Sequence, residues 1–184
     1  AVSGQMLQAI HSAEISQFTD PKFIDDNNLV AAVRLKDGKM ALALAEISTG
    51  NTMRLTAPSY NVVGYPCVNN GMIYFTATYN GNDDVFALRM SDKKTFQVSS
   101  GPLGKYFVNA ANGKITWSAF TAEGYQLKQV NENPDEWTEL GSAAQDVLTA
   151  KIPVSAASDG GDVLGGKVEQ RDFAVKDYKK SSNP

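Results

Sequence analysis

The sequence predicts an all-β fold made of repeats, and three observations support this prediction. Turn residues alternate with short β-prone runs, and one motif recurs at spacings of 42 and 43 residues. Within each repeat, apolar and polar residues alternate with a period of two, as in Thr95-Phe96-Gln97-Val98-Ser99. This period is typical of half-buried strands, whereas helices would show a period of 3.6.

The repeat is anchored by three segments that each begin with a turn dipeptide: Asn27-Asn28, Asn70-Gly71 and Asn112-Gly113. Asn-Gly tolerates positive φ, so it favours a tight hairpin turn between two strands. The closing strands keep the same spacing, with apolar residues at equivalent positions: Leu55, Val98 and Leu140. Residues 40–47 are rich in Ala and Leu, which favour helix, but their place after a hairpin turn in the repeat predicts a strand.

One four-stranded unit of this length cannot bury both of its faces, whereas units stacked about an axis can. We therefore predict β-propeller-type repeats with about three four-stranded blades, at about residues 20–57, 58–100 and 101–141. Complete propellers have ~4 to 8 blades, so a partial propeller from a larger protein is expected. Residues 1–20 form an N-terminal segment that is a candidate for the last strand of a preceding blade. Residues 142–184, rich in Ala, Ser and Gly, are predicted to form an irregular extension or linker.

Composition and charge exclude several classes of partner. The 184 residues have a net charge of -3, with basic and acidic residues interspersed, whereas binding to nucleic acid needs concentrated Lys and Arg. The longest nearly apolar run, residues 40–45, is too short to cross a bilayer. No nucleic acid partner and no membrane insertion are therefore expected within this segment. Cys67 is the single cysteine, which excludes an intrachain disulfide, and its strand setting predicts a buried thiol.

No set of catalytic residues stands out. His11 is the only histidine, so a Ser-His-Asp triad would depend on a residue in the weakly patterned N-terminal segment. Neither a Gly-x-Ser-x-Gly elbow nor a phosphate-binding glycine loop is present. The acidic turn at residues 80–84 lacks the alternating ligands and the distal Glu of a calcium loop, so we interpret it as a polar hairpin tip. We expect no catalytic residue, no cofactor and no metal site.

Four residues beside hairpin turns are the candidates for contact with a ligand or partner: Tyr79, Asp83, Asp84 and Tyr125. Most aromatic residues fall at strand positions, where packing in the core is expected. The two tyrosines adjoin turns instead, where an aromatic ring is placed to stack on a ligand.

The repeat resembles the TolB-type (WD40-like) β-propeller repeat over about residues 20–141. In that family a Pro-containing approach leads through an Asp/Asn-Gly turn into two strands and a closing Leu-Thr. Here Pro66 precedes Asn70-Gly71, and the first unit contains Pro21 and closes with Leu55-Thr56. The usual Trp-Ser-Pro-Asp-Gly approach is absent, and the third unit lacks both the Pro and the Leu-Thr close. The resemblance implies an extracytoplasmic location, in the periplasm or cell envelope, and a role in protein interaction or as an appendage to another domain.

The sequence is compatible with three functions. The first is a non-catalytic propeller segment that serves as a protein-interaction or scaffold module of a larger secreted or envelope protein, with a protein partner or adjoining domain. The second is the propeller portion of a hydrolase of the serine peptidase type, whose catalytic domain lies outside this segment. The third is a glycan-binding propeller, in which Tyr79 and Tyr125 would stack on sugars.

Overall fold

The computed structural model describes residues 9–141, which contain β-strands and one short 3-10 turn. The strands in this range are β1 (Ile15–Phe23), β2 (Asn28–Leu35), β3 (Met40–Glu46), β4 (Thr52–Arg54), β5 (Val63–Asn69), β6 (Met72–Ala77), β7 (Asp84–Arg89), β8 (Thr95–Gln97), β9 (Lys105–Ala111), β10 (Lys114–Thr121), β11 (Gly124–Asn131) and β12 (Thr138–Glu139). The 3-10 turn, Pro134–Glu136, precedes β12. Nothing in the described range is a helix of the length and apolarity that crossing a membrane requires.

The strands form three antiparallel sheets that follow one another along the chain. The first sheet contains β1 to β4 and the second contains β5 to β8, each in chain order, while β9 to β11 form the third. β12 adds to the second sheet beside β8. The prediction of an all-β repeat fold is thus confirmed, and the ambiguous residues 40–47 contain strand β3.

The two Asn-Gly turns adopt the backbone conformation that their sequence predicts. The φ angles are 46° and 76° at Asn70-Gly71, and 50° and 69° at Asn112-Gly113. Positive φ at both central residues matches the right-handed twist of the flanking strands, so it suits a two-residue hairpin loop. The corresponding turn of the first unit, at Asn27-Asn28, is stabilised by a side chain. The Asp25 carboxylate accepts hydrogen bonds from the backbone N–H groups of Asn27 and Asn28, both at 2.8 Å.

The apolar side chains form cores between successive sheets. Large buried side chains between the first and second sheets are Val30, Leu42, Ile73, Phe75 and Phe86. Those between the second and third sheets are Tyr74, Val85, Ile115 and Trp117. Neighbouring residues in a strand point to opposite faces, so Ile73 and Tyr74 enter different cores. The second sheet is therefore buried on both faces, which explains why β6 is apolar almost without interruption.

Two details differ from the predicted units. β1 begins at Ile15, so the first sheet starts before residue 20. The segment expected to close the third unit pairs instead with β8, where Thr138 is opposite Gln97 and Glu139 is opposite Phe96. The third sheet consequently has three strands among the described residues, not four. The predicted extension at residues 142–184, and residues 1–8 of the predicted N-terminal segment, lie outside the described residues.

Contacts of Trp137 explain why β12 joins the second sheet. Its indole ring packs edge-on against Tyr74, with 6.0 Å between ring centroids, and against Phe96 at 6.5 Å. The Leu140 N–H donates to the Thr95 carbonyl at 2.8 Å, which extends the ladder. Partial burial of this large aromatic side chain contributes more to stability than the exposed ion pair between Lys94 and Glu139, so the contacts of Trp137 favour pairing with the second sheet.

The Asn-Gly turns generate a first prediction. Gly71→Val and Gly113→Val should each lower the free energy of unfolding by ~1 kcal/mol or more, because a β-branched residue at positive φ is strained. Gly64→Val is the matched control, since a Cβ at Gly64 meets nothing within 4 Å and its φ is not positive. Urea denaturation gives the free energy of unfolding of all three variants. Equal stability of the three would contradict the predicted turn geometry.

Candidate functional site

The first strand of each sheet contains a β-bulge at the same place. Backbone φ is 51° at Asp20, 53° at Tyr65 and 57° at Phe107, and the pairing register with the next strand shifts at each of them. Residues other than Gly rarely adopt positive φ, because each such residue costs of order 1–3 kcal/mol and persists only where the surrounding structure holds it. Because the bulge recurs in all three sheets, it belongs to the repeat.

The bulged strands β1, β5 and β9 lie side by side and enclose a cleft of about 480 Å³. We call it the first-strand cleft, and its lining residues are Asp20, Lys22, Phe23, Tyr65, Pro66, Cys67, Val68, Phe107, Val108 and Asn109. Lys22, Cys67 and Asn109 occupy equivalent positions, each two residues after the positive-φ residue. The Cys67 thiol donates to the Asn109 side-chain oxygen at 3.3 Å, so the bulges place these side chains in contact across neighbouring sheets.

Three aromatic rings line the cleft, those of Phe23, Tyr65 and Phe107. The rings of Tyr65 and Phe107 are in contact, with 4.5 Å between centroids. Phe107 is 58% exposed and Phe23 is 71% exposed. Rigid aromatic side chains offer a large contact area for little loss of conformational entropy, and they are enriched at binding interfaces.

The cleft also contains one charge of each sign. Asp20 and Lys22 lie on the same bulged strand, and neither forms an ion pair within residues 9–141. The Asn109 amide adds a neutral hydrogen-bonding group. Together, the aromatic, charged and amide side chains of the first-strand cleft can bind a ligand with apolar, polar and charged parts. In the described part of the chain, no group of three or more His, Cys, Asp or Glu side chains is arranged to hold a metal ion.

The structure places Asp84 in a buried network of polar side chains. Its side chain is 0% exposed and its carboxylate lies 2.6 Å from the Lys105 ammonium. The carboxylate also accepts from the Asn80 amide at 2.8 Å, while Lys105 donates to the Leu103 carbonyl at 2.8 Å. Because Asp84 belongs to β7 and Lys105 to β9, the pair joins the second sheet to the third.

The neighbouring candidate, Asp83, is half-buried and accepts a hydrogen bond from the Tyr106 hydroxyl. This bond to a carboxylate, together with partial burial, raises the pKa of Tyr106 to about 12. Asp83 therefore also connects the second sheet to the third through a side chain of β9.

The two candidate tyrosines have different surroundings. Tyr79 is 2% exposed and packs on Phe86, with 5.1 Å between ring centroids, and burial raises the pKa of Tyr79 to about 12. It has no free ring face, so the expected stacking role is replaced by a role in the core. Tyr125 is 63% exposed and contacts Phe120 and Tyr106 at 5.2 and 6.2 Å. Only Tyr125 of the two is accessible to a ligand.

The first-strand cleft was not predicted from the sequence. Cys67, expected to be buried in the core, is half-buried and lines the cleft. The available signal was the recurrence of proline, since Pro21 and Pro66 each follow a positive-φ residue directly. The third unit has Val108 at this place, which weakens the pattern.

Three stacked antiparallel sheets with their first strands adjacent define a β-propeller-like segment. The chain is similar to the structure of a putative TolB from Agrobacterium tumefaciens, with a TM-score of 0.50 and 14% identity over 62% of this chain and 45% of that one. It also aligns with a puromycin hydrolase mutant complexed with PGG, at a TM-score of 0.48 and 14% identity over 67% of this chain and 20% of that one. The chain thus spans less than half of either structure, and at this identity the likeness defines the fold alone. No family model and no curated protein matches the sequence.

The buried ion pair generates a second prediction. Lys105→Met should lower the free energy of unfolding by about 3–5 kcal/mol, because it leaves the Asp84 charge buried without a counter-charge. Adding Asp84→Asn should recover part of this loss, since the unpaired charge is then absent. Lys94→Met is the control, because it removes an exposed ion pair with Glu139 and should cost about 1 kcal/mol or less. Urea denaturation that gave equal losses for Lys105→Met and Lys94→Met would refute the structural role of the buried pair.

The two tyrosines generate a third prediction. Tyr79→Ala should lower the free energy of unfolding by about 3–5 kcal/mol, as removal of a buried aromatic side chain does. Tyr125→Ala should change it by about 0.5 kcal/mol, because the ring is largely exposed. Thermal and urea unfolding of both variants, with Tyr79→Phe as the variant that keeps the ring, provide the comparison. Similar losses for Tyr79→Ala and Tyr125→Ala would mean that the two rings do not differ in burial.

Proposed function

We propose that this chain is a non-catalytic protein-interaction module, an arc of propeller blades within a larger secreted or envelope protein. In this proposal, the first-strand cleft binds an extended segment of a partner protein. The observation that supports it is the set of three equivalent bulges, which bring aromatic, charged and amide side chains together in one concave site.

The repeated strain supports a binding role for the cleft. Unfavourable backbone conformations persist where the surrounding structure holds them, and they concentrate at functional sites. Here the strained residues Asp20, Tyr65 and Phe107 all line the cleft. They lie on paired strands, so the cleft is formed before a partner arrives and little ordering is needed on binding.

The size and chemistry of the cleft suit a peptide. A volume of about 480 Å³ lies within the range of about 300–1,000 Å³ that ligand sites commonly have. The rings of Phe23 and Phe107 offer surface for apolar side chains. The Asn109 amide can bond to a peptide backbone, and Lys22 and Asp20 can pair with charged groups of the partner.

The side chains of the cleft also favour binding over catalysis. Cys67 is the only thiol, and its hydrogen-bond partner is the Asn109 amide. An amide cannot accept the thiol proton as a general base, so this pair does not form an activated nucleophile. The one histidine, His11, does not line the cleft. A place in the cell envelope is part of the proposal, and it rests on the resemblance of the repeat to TolB-type propellers.

The proposal predicts that peptides selected for binding to the full chain occupy the cleft. Peptides would be selected from a random phage-displayed library, and their affinities measured by fluorescence anisotropy. Phe107→Ala should weaken binding at least about tenfold, because an exposed aromatic anchor contributes more than about 1.4 kcal/mol at such sites. Lys22→Ala should weaken binding of those selected peptides that contain an acidic residue.

Tyr60→Ala is the matched control, since Tyr60 is 57% exposed and lies outside the cleft. Thermal unfolding checks that Phe107→Ala leaves the fold intact. The proposal is contradicted if the library yields no binder, or if the selected peptides bind the Phe107→Ala and Tyr60→Ala variants equally well. Binding of glycans but not peptides would favour the alternative of a glycan-binding propeller.

A further inference from the structure

The outer edge of β11 has no partner strand in the described part of the chain. In the first and second sheets, the third strand is paired on its outer side by a short fourth strand, β4 beside β3 and β8 beside β7. In the third sheet, β11 pairs only with β10 among residues 9–141. The segment that corresponds to the fourth strand of the repeat, Trp137–Leu140, pairs with β8 instead.

The register of β11 shows which backbone groups face this open edge. The Glu132 N–H donates to the Gly113 carbonyl at 2.9 Å, immediately beyond the last pair of the hairpin. In an antiparallel pair, hydrogen-bonded residues alternate with residues whose N–H and C=O point away from the partner. The N–H groups of Tyr125, Leu127 and Gln129 therefore point outward from β10. Such a row of outward groups is a template for another strand.

Exposed apolar side chains lie beside this edge. Tyr125 is 63% exposed and Leu127 is 77% exposed, and Phe120, directly opposite Tyr125 on β10, is 53% exposed. These three side chains share one face of the third sheet, while Trp117 on the other face packs against the second sheet. Contiguous exposed apolar side chains of this kind mark interaction sites.

We infer that the outer edge of β11 is a docking site for an extended strand of a partner protein, with alternating apolar side chains and a carboxylate. β4 and β8 show the geometry, because both are antiparallel strands with an apolar residue, Met53 or Phe96, between polar neighbours. We expect a carboxylate in the partner strand because Lys128 can pair with it. Lys128 is the only charged residue of β11, and it forms no ion pair within residues 9–141. Among residues 9–141, its ammonium donates to the side-chain oxygen of the nearby Gln126, at 3.0 Å.

Lys128 also distinguishes this occupant from a second copy of the chain. Pairing of two β11 edges in the register that sets Lys128 opposite itself would place like charges directly opposite each other, which is unfavourable, whereas an acidic residue opposite Lys128 is favourable. The site is separate from the first-strand cleft, and it does not depend on the function proposed for that cleft.

Amide hydrogen exchange of the full chain tests the open edge first. The amides of Tyr125, Leu127 and Gln129 should exchange fast, whereas those of Gln126 and Lys128, bonded to β10, should be protected and serve as internal controls. Protection of all five amides in a monomeric sample would mean that another part of the chain already covers the edge, and the inference would be wrong.

Peptide titration tests the occupant. The probe copies residues 95–100, Thr-Phe-Gln-Val-Ser-Ser, with Gln97→Glu, and a second peptide has Gln97→Lys. In ¹⁵N-labelled full chain, amide shifts should concentrate at residues 124–131, and the Glu peptide should bind at least about threefold more tightly than the Lys peptide. No shifts in β11 at about 1 mM peptide, shifts confined to the first-strand cleft, or concentration-dependent self-association through β11 would each overturn the inference.

Four variants make this test specific. Leu127→Pro removes one outward N–H without removing a bond to β10, which an edge strand tolerates, and it should weaken peptide binding at least about tenfold. Leu127→Val keeps the N–H and the apolar side chain, and should bind as the native chain does. Lys128→Gln should abolish the preference for the Glu peptide. Phe107→Ala should leave binding at β11 unchanged, which keeps this result distinct from that of the cleft.

Discussion

The second sheet has to be covered on both faces, and the rest of the structure depends on this constraint. Strand β6 places Ile73 and Phe75 on one side and Tyr74 on the other, all almost fully buried. A sheet with two apolar faces is stable only between two others, so the first and third sheets are required for it to fold. The buried pair of Asp84 and Lys105 then fixes the third sheet against the second. Stacking of the sheets in turn brings their first strands together, and this contact forms the cleft.

Local chemistry made part of this arrangement predictable. The Asn-Gly turns were predicted because their backbone conformation depends on the two residues themselves, and the strands were predicted because alternation reports burial of one face. The partner of β12 was not predictable from spacing, since spacing gives a position along the chain and not the edge that it joins. That choice depends on contacts of Trp137 with Tyr74 and Phe96, which are distant in sequence.

Prediction of the candidate site from the sequence was limited in the same way, because it also depends on contacts between residues that are distant in sequence. Tyr79 and Tyr125 both lie beside hairpin turns, and sequence alone gives them the same role. Their burial differs because Tyr79 packs in the core between the first two sheets, whereas Tyr125 lies on the uncovered face of the third sheet. The first-strand cleft was missed for a related reason, because positive φ at Tyr65 and Phe107 is imposed by pairing with neighbouring strands and leaves little trace in residue type. The prolines that directly follow Asp20 and Tyr65 were the only signal of the cleft in the sequence.

We propose that equivalent bulges from three sheets form one binding site for a partner segment. Amide chemical-shift mapping of the ¹⁵N-labelled full chain with a selected peptide tests it most directly. The shifted amides should form three groups, at residues 20–23, 65–68 and 107–109, which respond together at one affinity. Shifts restricted to a single strand, or located away from all three bulges, would contradict it.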